Sequence, residues 1–200
     1  MTHRTRVNFF LLLLCTVVTS TSCQDKASQS GIKAIPHTET VADFRYRKFP
    51  KDSFPNPVGY VNDYENIFTS QEEQSLDSLI TKFEKETTIE IAVVTIDTLM
   101  LSHSTLFDYT LKLANTWGIG KWDKKNGILV GICSAKKNFR IQNGYGIEPL
   151  LSNSATTEIM NTTFFPSYKK GQMFEGTLLG LKAIMNALVT SIDEKSKVKF

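Results

Sequence analysis

The sequence holds little of what usually announces a function. It has three cysteines, Cys15, Cys23 and Cys133, and three histidines in 200 residues. Three cysteines are too few for a multi-disulfide framework, and a cysteine nucleophile has no recognisable histidine partner in His37 or His103. An excess of one charge sign is missing too. Lys and Arg number 23 against 20 Asp and Glu; Arg4 and Arg6 supply two of the 23, so the rest of the chain is almost balanced. With no basic stripe and no arginine-rich arm, nucleic acid is not an expected partner. There is no internal repeat and no low-complexity segment. No apolar run approaches the roughly 20 residues that a bilayer-spanning helix needs. A composition of 41% hydrophobic and 22% charged residues rules out wholesale disorder, collagen and coiled coil.

What is present begins at the amino terminus. Arg4 and Arg6 precede the ten-residue apolar run Phe9–Val18, which gives way to the small residues Thr19-Ser20-Thr21-Ser22 before Cys23. A basic end, a short apolar stretch and a small-residue exit make a secretory signal. Small residues directly before a cysteine resemble a bacterial lipobox, although the usual leucine three positions upstream is Ser20. Residues 1–22 are thus expected to be a lipoprotein-type signal peptide, with Cys23 lipidated; an ordinary cleaved signal is the alternative. Acyl chains contribute about 0.8 kcal/mol per buried methylene, and two give stable anchoring. The protein is then exported and faces the periplasm or the cell exterior. Cys15 leaves with the signal, and Cys133 sits in the apolar run Ile128–Cys133 as a small buried hydrophobe.

Residues 23–56 read as a lipid-anchored polar tether, because Gln24 to Lys48 has too few apolar residues to offset the entropy of ordering. Phe49-Pro50 and Phe54-Pro55-Asn56-Pro57 mark the edge of a domain expected over 57–191, with a polar tail over 192–200. Ser70 and Glu73 have capping-box spacing, with Phe68 placed as a staple. Leu76, Leu79, Ile80 and Phe83 then share one face of a helix expected over 70–85. Ile89–Ile96 and Ile128–Cys133 are continuous apolar runs, as expected of strands covered on both faces. A second helix is expected from Thr105 to Asn115. Ser134–Asn138 turns the chain into a hairpin partner, Phe139–Gln142. A helix from Ser154 should stop at Pro166. The last helix, 173–191, carries Leu178, Leu181, Met185 and Leu188 on one face, with Gly176 and Gly180 set for a close helix approach. Strands alternating with helices imply an α/β class, a three-layer α/β/α sandwich around a small mixed sheet.

Three segments are polar or glycine-rich where a core does not require it: Val61-Asn62-Asp63-Tyr64, Trp117-Gly118-Ile119-Gly120 with Asn126-Gly127, and Asn143-Gly144-Tyr145-Gly146-Ile147-Glu148 followed by Asn153. Taken singly, each has a bland reading. Gly118-x-Gly120 follows a helix and lacks the third glycine and lysine of a phosphate loop. Asp63 can cap a turn, and Glu148 can be a surface acid.

Together these segments, with Asn126-Gly127-Ile128-Leu129 and Phe165-Pro166-x-Tyr168-Lys169-x-Gly171, resemble in order and spacing the TPM domain, a family of thylakoid acid-phosphatase-like and exported bacterial proteins. The resemblance covers about Pro57 to Leu188. It implies the same sandwich, an extracytoplasmic setting and divalent-cation binding, with calcium expected and magnesium the alternative. The family's acids map onto Asp63 and Glu148; Asn126 and Asn153 take the other polar positions, Asn153 where aspartate is usual. Calcium takes six to eight oxygens from carboxylates, amide carbonyls, backbone and water, so Asp63, Asn126, Glu148 and Asn153 form the candidate metal set. Gly118, Gly120, Gly144, Tyr145 and Gly146 would shape a cleft around it, walled by Tyr145 and Trp117. Two functions follow. One is a membrane-anchored interaction or assembly module of the cell envelope with an envelope protein partner. The other is a metal-dependent phosphatase acting on phosphomonoesters, with Lys121, Lys124 and Lys125 as candidate phosphate clamps.

Overall fold

The computed structural model describes residues 54–197. The signal peptide, Cys23 and most of the tether lie outside the described residues. The strands are β1 (Val61–Asp63), β2 (Glu90–Thr95), β3 (Gly127–Cys133) and β4 (Asn138–Asn143). They form one open sheet in the order β1-β2-β3-β4, with β1, β2 and β3 parallel and β4 antiparallel. Every residue of β2 and β3 is buried. Their side chains alternate between two separate cores. Ile91, Val93, Ile128, Val130 and Ile132 face one core, while Ala92, Val94, Leu129 and Cys133 face the other. This is the expected α/β/α sandwich.

The first core is covered by α1 (Ser70–Thr87) and by the carboxy-terminal helices. The second is covered by α2 (Thr98–Leu101) and α3 (Leu106–Trp117) through Leu101, Leu106, Tyr109 and Leu113. The chain steps across the sheet in one direction through three parallel strands, yet α1 and α3 lie on opposite faces. The two crossovers must therefore have opposite hands, against a strong preference for right-handed connections. A consequence for function follows directly. The loops leaving β1 and β2 diverge to opposite faces, and in open α/β sheets that divergence opens a crevice at the carboxyl ends of the strands.

Local signals placed most elements within a residue or two. The capping box of α1 uses Thr69 and Glu72 rather than Ser70 and Glu73: the Thr69 side chain accepts the Glu72 N–H, and the Glu72 carboxylate accepts the Thr69 N–H. Phe68 is buried in the first core. The expected stop at Pro166 is a correction. After α4 (Asn153–Ile159) the chain makes a π-helical turn, Met160–Phe164, and continues into α5 (Phe165–Lys169) with Pro166 at its start. The wider turn shifts the hydrogen-bond register just where proline lacks an N–H, and the Phe165 N–H reaches the Met160 carbonyl. The last helix, α6 (Met173–Lys197), runs six residues beyond the expected end. Its Gly176 and Gly180 face the Tyr168 and Phe164 rings, where a Cβ would come within 2.6 and 2.1 Å of ring carbons.

Strand β1 and helix α2 were not expected. Three residues are too short for a periodic signal, and β1 exists because Val61–Asp63 pairs with Val93–Thr95.

Candidate functional site

The candidate residues divide between the two ends of the sheet. Asp63 closes β1 at the carboxyl end, level with Thr95 and, through it, with Ile132. It is 4% exposed. One carboxylate oxygen accepts the Thr95 hydroxyl at 2.6 Å and the other accepts the Phe68 N–H at 2.7 Å. Thr95 Oγ1 in turn accepts the Glu65 N–H. The half-buried Glu65 carboxylate accepts the Ser134 N–H and hydroxyl and the Ala135 N–H, tying the segment after β1 to the β3–β4 turn. Burial raises the Glu65 pKa, partly offset by those same donors, and Asp97 nearby raises it further. Asp97 itself caps α2 by accepting the Leu99 N–H. At this end of the sheet both Asp63 oxygens and the Glu65 carboxylate are engaged by the chain's own donors.

Asn126, Glu148 and the 144–146 turn lie at the other end. Asn143 pairs with Ile128, and the Gly144 N–H donates to the Gly127 carbonyl. From Gly127 to the level of Asp63 is five residues of strand, roughly 16 Å. Asp63 and Glu148 therefore do not share one cleft. Asn126 is 6% exposed; its Oδ1 accepts the Lys121 N–H and its amide donates to the Thr88 carbonyl. Glu148 is exposed. Asn153 is exposed at the first position of α4, and its carbonyl accepts the Thr157 hydroxyl. Asp63 and Asn126 have their side-chain polar atoms engaged by the chain itself, at opposite ends of the sheet. The set does not fit a single cation. Among the described residues no group of three or more His, Cys, Asp or Glu side chains is placed to hold one.

The glycine-rich segments do come together. Gly146 and Gly144 lie so close to Lys124 and Lys125 that a Cβ would meet the Lys124 carbonyl oxygen at 1.9 Å and the Lys125 carbonyl oxygen at 2.3 Å. The Gly146 N–H donates to that Lys125 carbonyl at 3.0 Å. Gly120 faces Gly127 equally closely, whereas Gly118 has open space and a left-handed backbone, φ +64°, that ends α3. Side chains brace the same loop from below. Fully buried Glu90 accepts the Gly120 N–H. Lys121 Nζ lies 2.6 Å from Glu84 and 3.8 Å from Glu90, and Tyr60 donates to Glu84. The Glu84 hydrogen bond raises the Lys121 pKa above its ordinary value, while burial, followed by Glu84, raises that of Tyr60. Lys124 Nζ bonds Thr88.

These contacts build a ledge, not a walled cleft. Tyr145 is 76% exposed. Trp117 lies on the second core and donates its indole N–H to the Pro55 carbonyl at 2.7 Å. Trp122, which motif reading passed over, is 84% exposed, and Lys125 Nζ sits 5.8 Å from its ring and 6.0 Å from that of Tyr145. The available signal was a tryptophan in the polar run Lys121-Trp122-Asp123-Lys124-Lys125, where burial has no use for one. A shallow hollow of about 390 Å³ follows a solvated side of α1 and is lined by Asp77, Ser78, Thr81, Lys82, Lys85 and Glu86. None of the candidate site residues lines it.

The class defined by this geometry is a three-layer α/β/α domain with a four-stranded mixed sheet and interlocked glycine loops at the amino end of β3. The profile of the TPM domain family matches residues 61–187, and the chain belongs to that family. Among solved structures, the N-terminal domain of a protein from P. gingivalis aligns with a TM-score of 0.60 and 27% identity, over 67% of this chain and 84% of that one. The BA42 protein of the psychrophilic bacterium Bizionia argentinensis gives 0.56 and 24%, over 64% and 85%. The N-terminal domain of the cg2496 protein of Corynebacterium glutamicum gives 0.50 and 15%, over 71% and 85%. The last two bear on the fold alone. No match was found among curated proteins.

Proposed function

We propose that this TPM-domain protein is a tethered interaction module of the cell envelope, held outside the cytoplasm by its amino-terminal segment and making its contacts through the Trp122–Tyr145 ledge. The observation that carries the reading is the ledge itself. Two large aromatic side chains stand in water, Trp122 on a loop braced by Glu90, Glu84, Thr88 and Asn126 and Tyr145 on the turn that is hydrogen-bonded to that loop through the Gly146 N–H and the Lys125 carbonyl. Rigid exposed aromatics supply binding area at little cost in conformational entropy, which is why they dominate contact hot spots.

The phosphatase reading has less behind it. Its central acid, Asp63, is buried and spends both oxygens on Thr95 and Phe68. Lys121, one of its candidate clamps, is paired with Glu84. The calcium role assigned to Asp63, Asn126, Glu148 and Asn153 is not carried forward as one site, because the four do not converge.

Fractionation tests the proposal. The protein should stay with membranes through a high-salt wash, since a hydrophobic anchor is not screened, and Cys23→Ser should release it or leave it unprocessed. The purified full chain should not turn over a generic phosphomonoester with calcium or magnesium. Turnover lost on Asp63→Ala in a still-folded protein would overturn the reading.

A further inference from the structure

A tryptophan 84% exposed on a braced loop asks what covers it. The composition of the ledge narrows the answer. An indole and a phenol flank one ammonium, with Lys125 Nζ 5.8 and 6.0 Å from the two ring centroids, while the neighbouring Lys124 ammonium donates to Thr88 Oγ1. Amphipathic rings interleaved with lysines are the pairing that settles at the headgroup level of a bilayer, the rings at the acyl boundary and the ammonium groups among the phosphates. Lys125 also holds a left-handed backbone, φ +48°, a conformation that costs a non-glycine residue of order 1 kcal/mol or more and persists only where the surroundings enforce it. Here the Gly146 N–H on its carbonyl is part of that enforcement.

The rest of the chain supplies the second argument. Thirty residues, Gln24 to Ser53, separate Cys23 from the first described residue. Even fully extended they reach no more than about 100 Å. They join the domain at Phe54 and Pro55, and the Pro55 carbonyl accepts the indole N–H of Trp117, the residue directly before the ledge segment. The chain therefore enters the domain on the α3 face, with Phe54 against Tyr109 and Pro55 against Trp117, five residues before Trp122 in sequence. A contact between the domain and the same bilayer adds to the hold of the acyl chains expected on Cys23.

We infer that the Trp122–Tyr145 ledge seats the domain on the headgroup region of the bilayer to which the amino-terminal segment anchors it. This rests on the tethered-module reading and names the partner of its ledge. Charge contributes modestly: Asp123 and Glu148 offset Lys124 and Lys125, and Lys121 is paired with Glu84. The aromatic contact leads, so docking should weaken little with salt.

The chain has two tryptophans, which makes the ledge its own reporter. The full chain would be reconstituted into phosphatidylcholine vesicles with a minority of phosphatidylglycerol, with and without brominated acyl chains, and its flotation and tryptophan emission measured. The expected result is flotation, a blue shift relative to detergent-free buffer, and quenching by bromine, with shift and quenching lost in Trp122→Phe while flotation persists. Flotation with Trp122 unquenched by bromine and open to iodide would overturn this inference and leave the tether reading intact. Shielding of Trp122 in native membranes but not in protein-free vesicles would overturn it in favour of a protein partner. A chain that does not float would overturn both readings.

Discussion

Replacing Gly146 with alanine separates two reasons a glycine is required. The new Cβ would stand 1.9 Å from the Lys124 carbonyl oxygen, and ordinary contact begins near 3.4 Å. The obstacle is backbone, so no side chain can swing aside. Relief needs the 144–148 turn to withdraw by roughly 1.5 Å, which breaks the Gly146 N–H bond to Lys125 and strains the Gly144 N–H bond to Gly127. Each bond contributes about 1 kcal/mol net, and overpacking adds about 1–3 kcal/mol. A total near 3 kcal/mol lowers the melting temperature by about 10 °C in a domain of this size. Gly118→Ala is the matched control. Nothing lies within 4 Å of its Cβ, yet its φ is +64°, so it should lose only about 1 kcal/mol, and Gly118→Asn should lose less. The assay is thermal unfolding of the purified full chain by circular dichroism, with Trp122 emission reporting the ledge. A Gly146→Ala protein as stable as the parent, or one less perturbed than Gly118→Ala, would refute the interlocked-loop account.

Gly180→Ala sets a helix-propensity gain of about 1 kcal/mol against a Cβ 2.1 Å from the Phe164 ring, which is fully buried between Phe139 and Tyr168; net destabilisation is expected in urea unfolding, and stabilisation would show that α6 sits farther from the π-turn. Asp63→Ala leaves the Thr95 hydroxyl and the Phe68 N–H without their partner, at about 1–3 kcal/mol each, so any loss of function in that variant must first be weighed against its fall in stability; an unchanged midpoint would mean that the carboxylate is not structural. Calcium, if it raises the melting temperature by mass action, should not lose that effect on both Asp63→Asn and Glu148→Gln, and loss in both would mean the two acids share an ion after all. The Glu65 pKa is raised, mainly by burial, so its neutral form suits the fold better; the stability it adds is present below its unfolded pKa and lost as pH rises through the folded one. Urea midpoints between about pH 4 and 7 should therefore fall for the parent relative to Glu65→Gln, and a relative rise would reverse the assignment.

How much of this was legible in the chain depends on the range of the physics involved. The sequence by itself determined the α/β class, both central strands, the hairpin, the main helices and the TPM family, because apolar periodicity, capping residues and ordered glycine motifs are local and survive without coordinates. It also showed that Gly176 and Gly180 serve close packing. Tertiary structure alone decided that Asp63 and Glu148 belong to opposite ends of the sheet. That separation follows from β4 running antiparallel to β3, which returns the Gly144–Glu148 turn to the end where β3 begins, while Asp63 lies where β1 stops. It decided too that the glycines crowd backbone against backbone rather than line a cleft, since spacing along a chain does not say which carbonyl a distant turn will meet. For Trp122 the polar run Lys121–Lys125 hints at exposure, but what holds its loop in place, Glu90, Glu84 and Thr88, lies 30 to 37 positions away in the chain, beyond any local pattern.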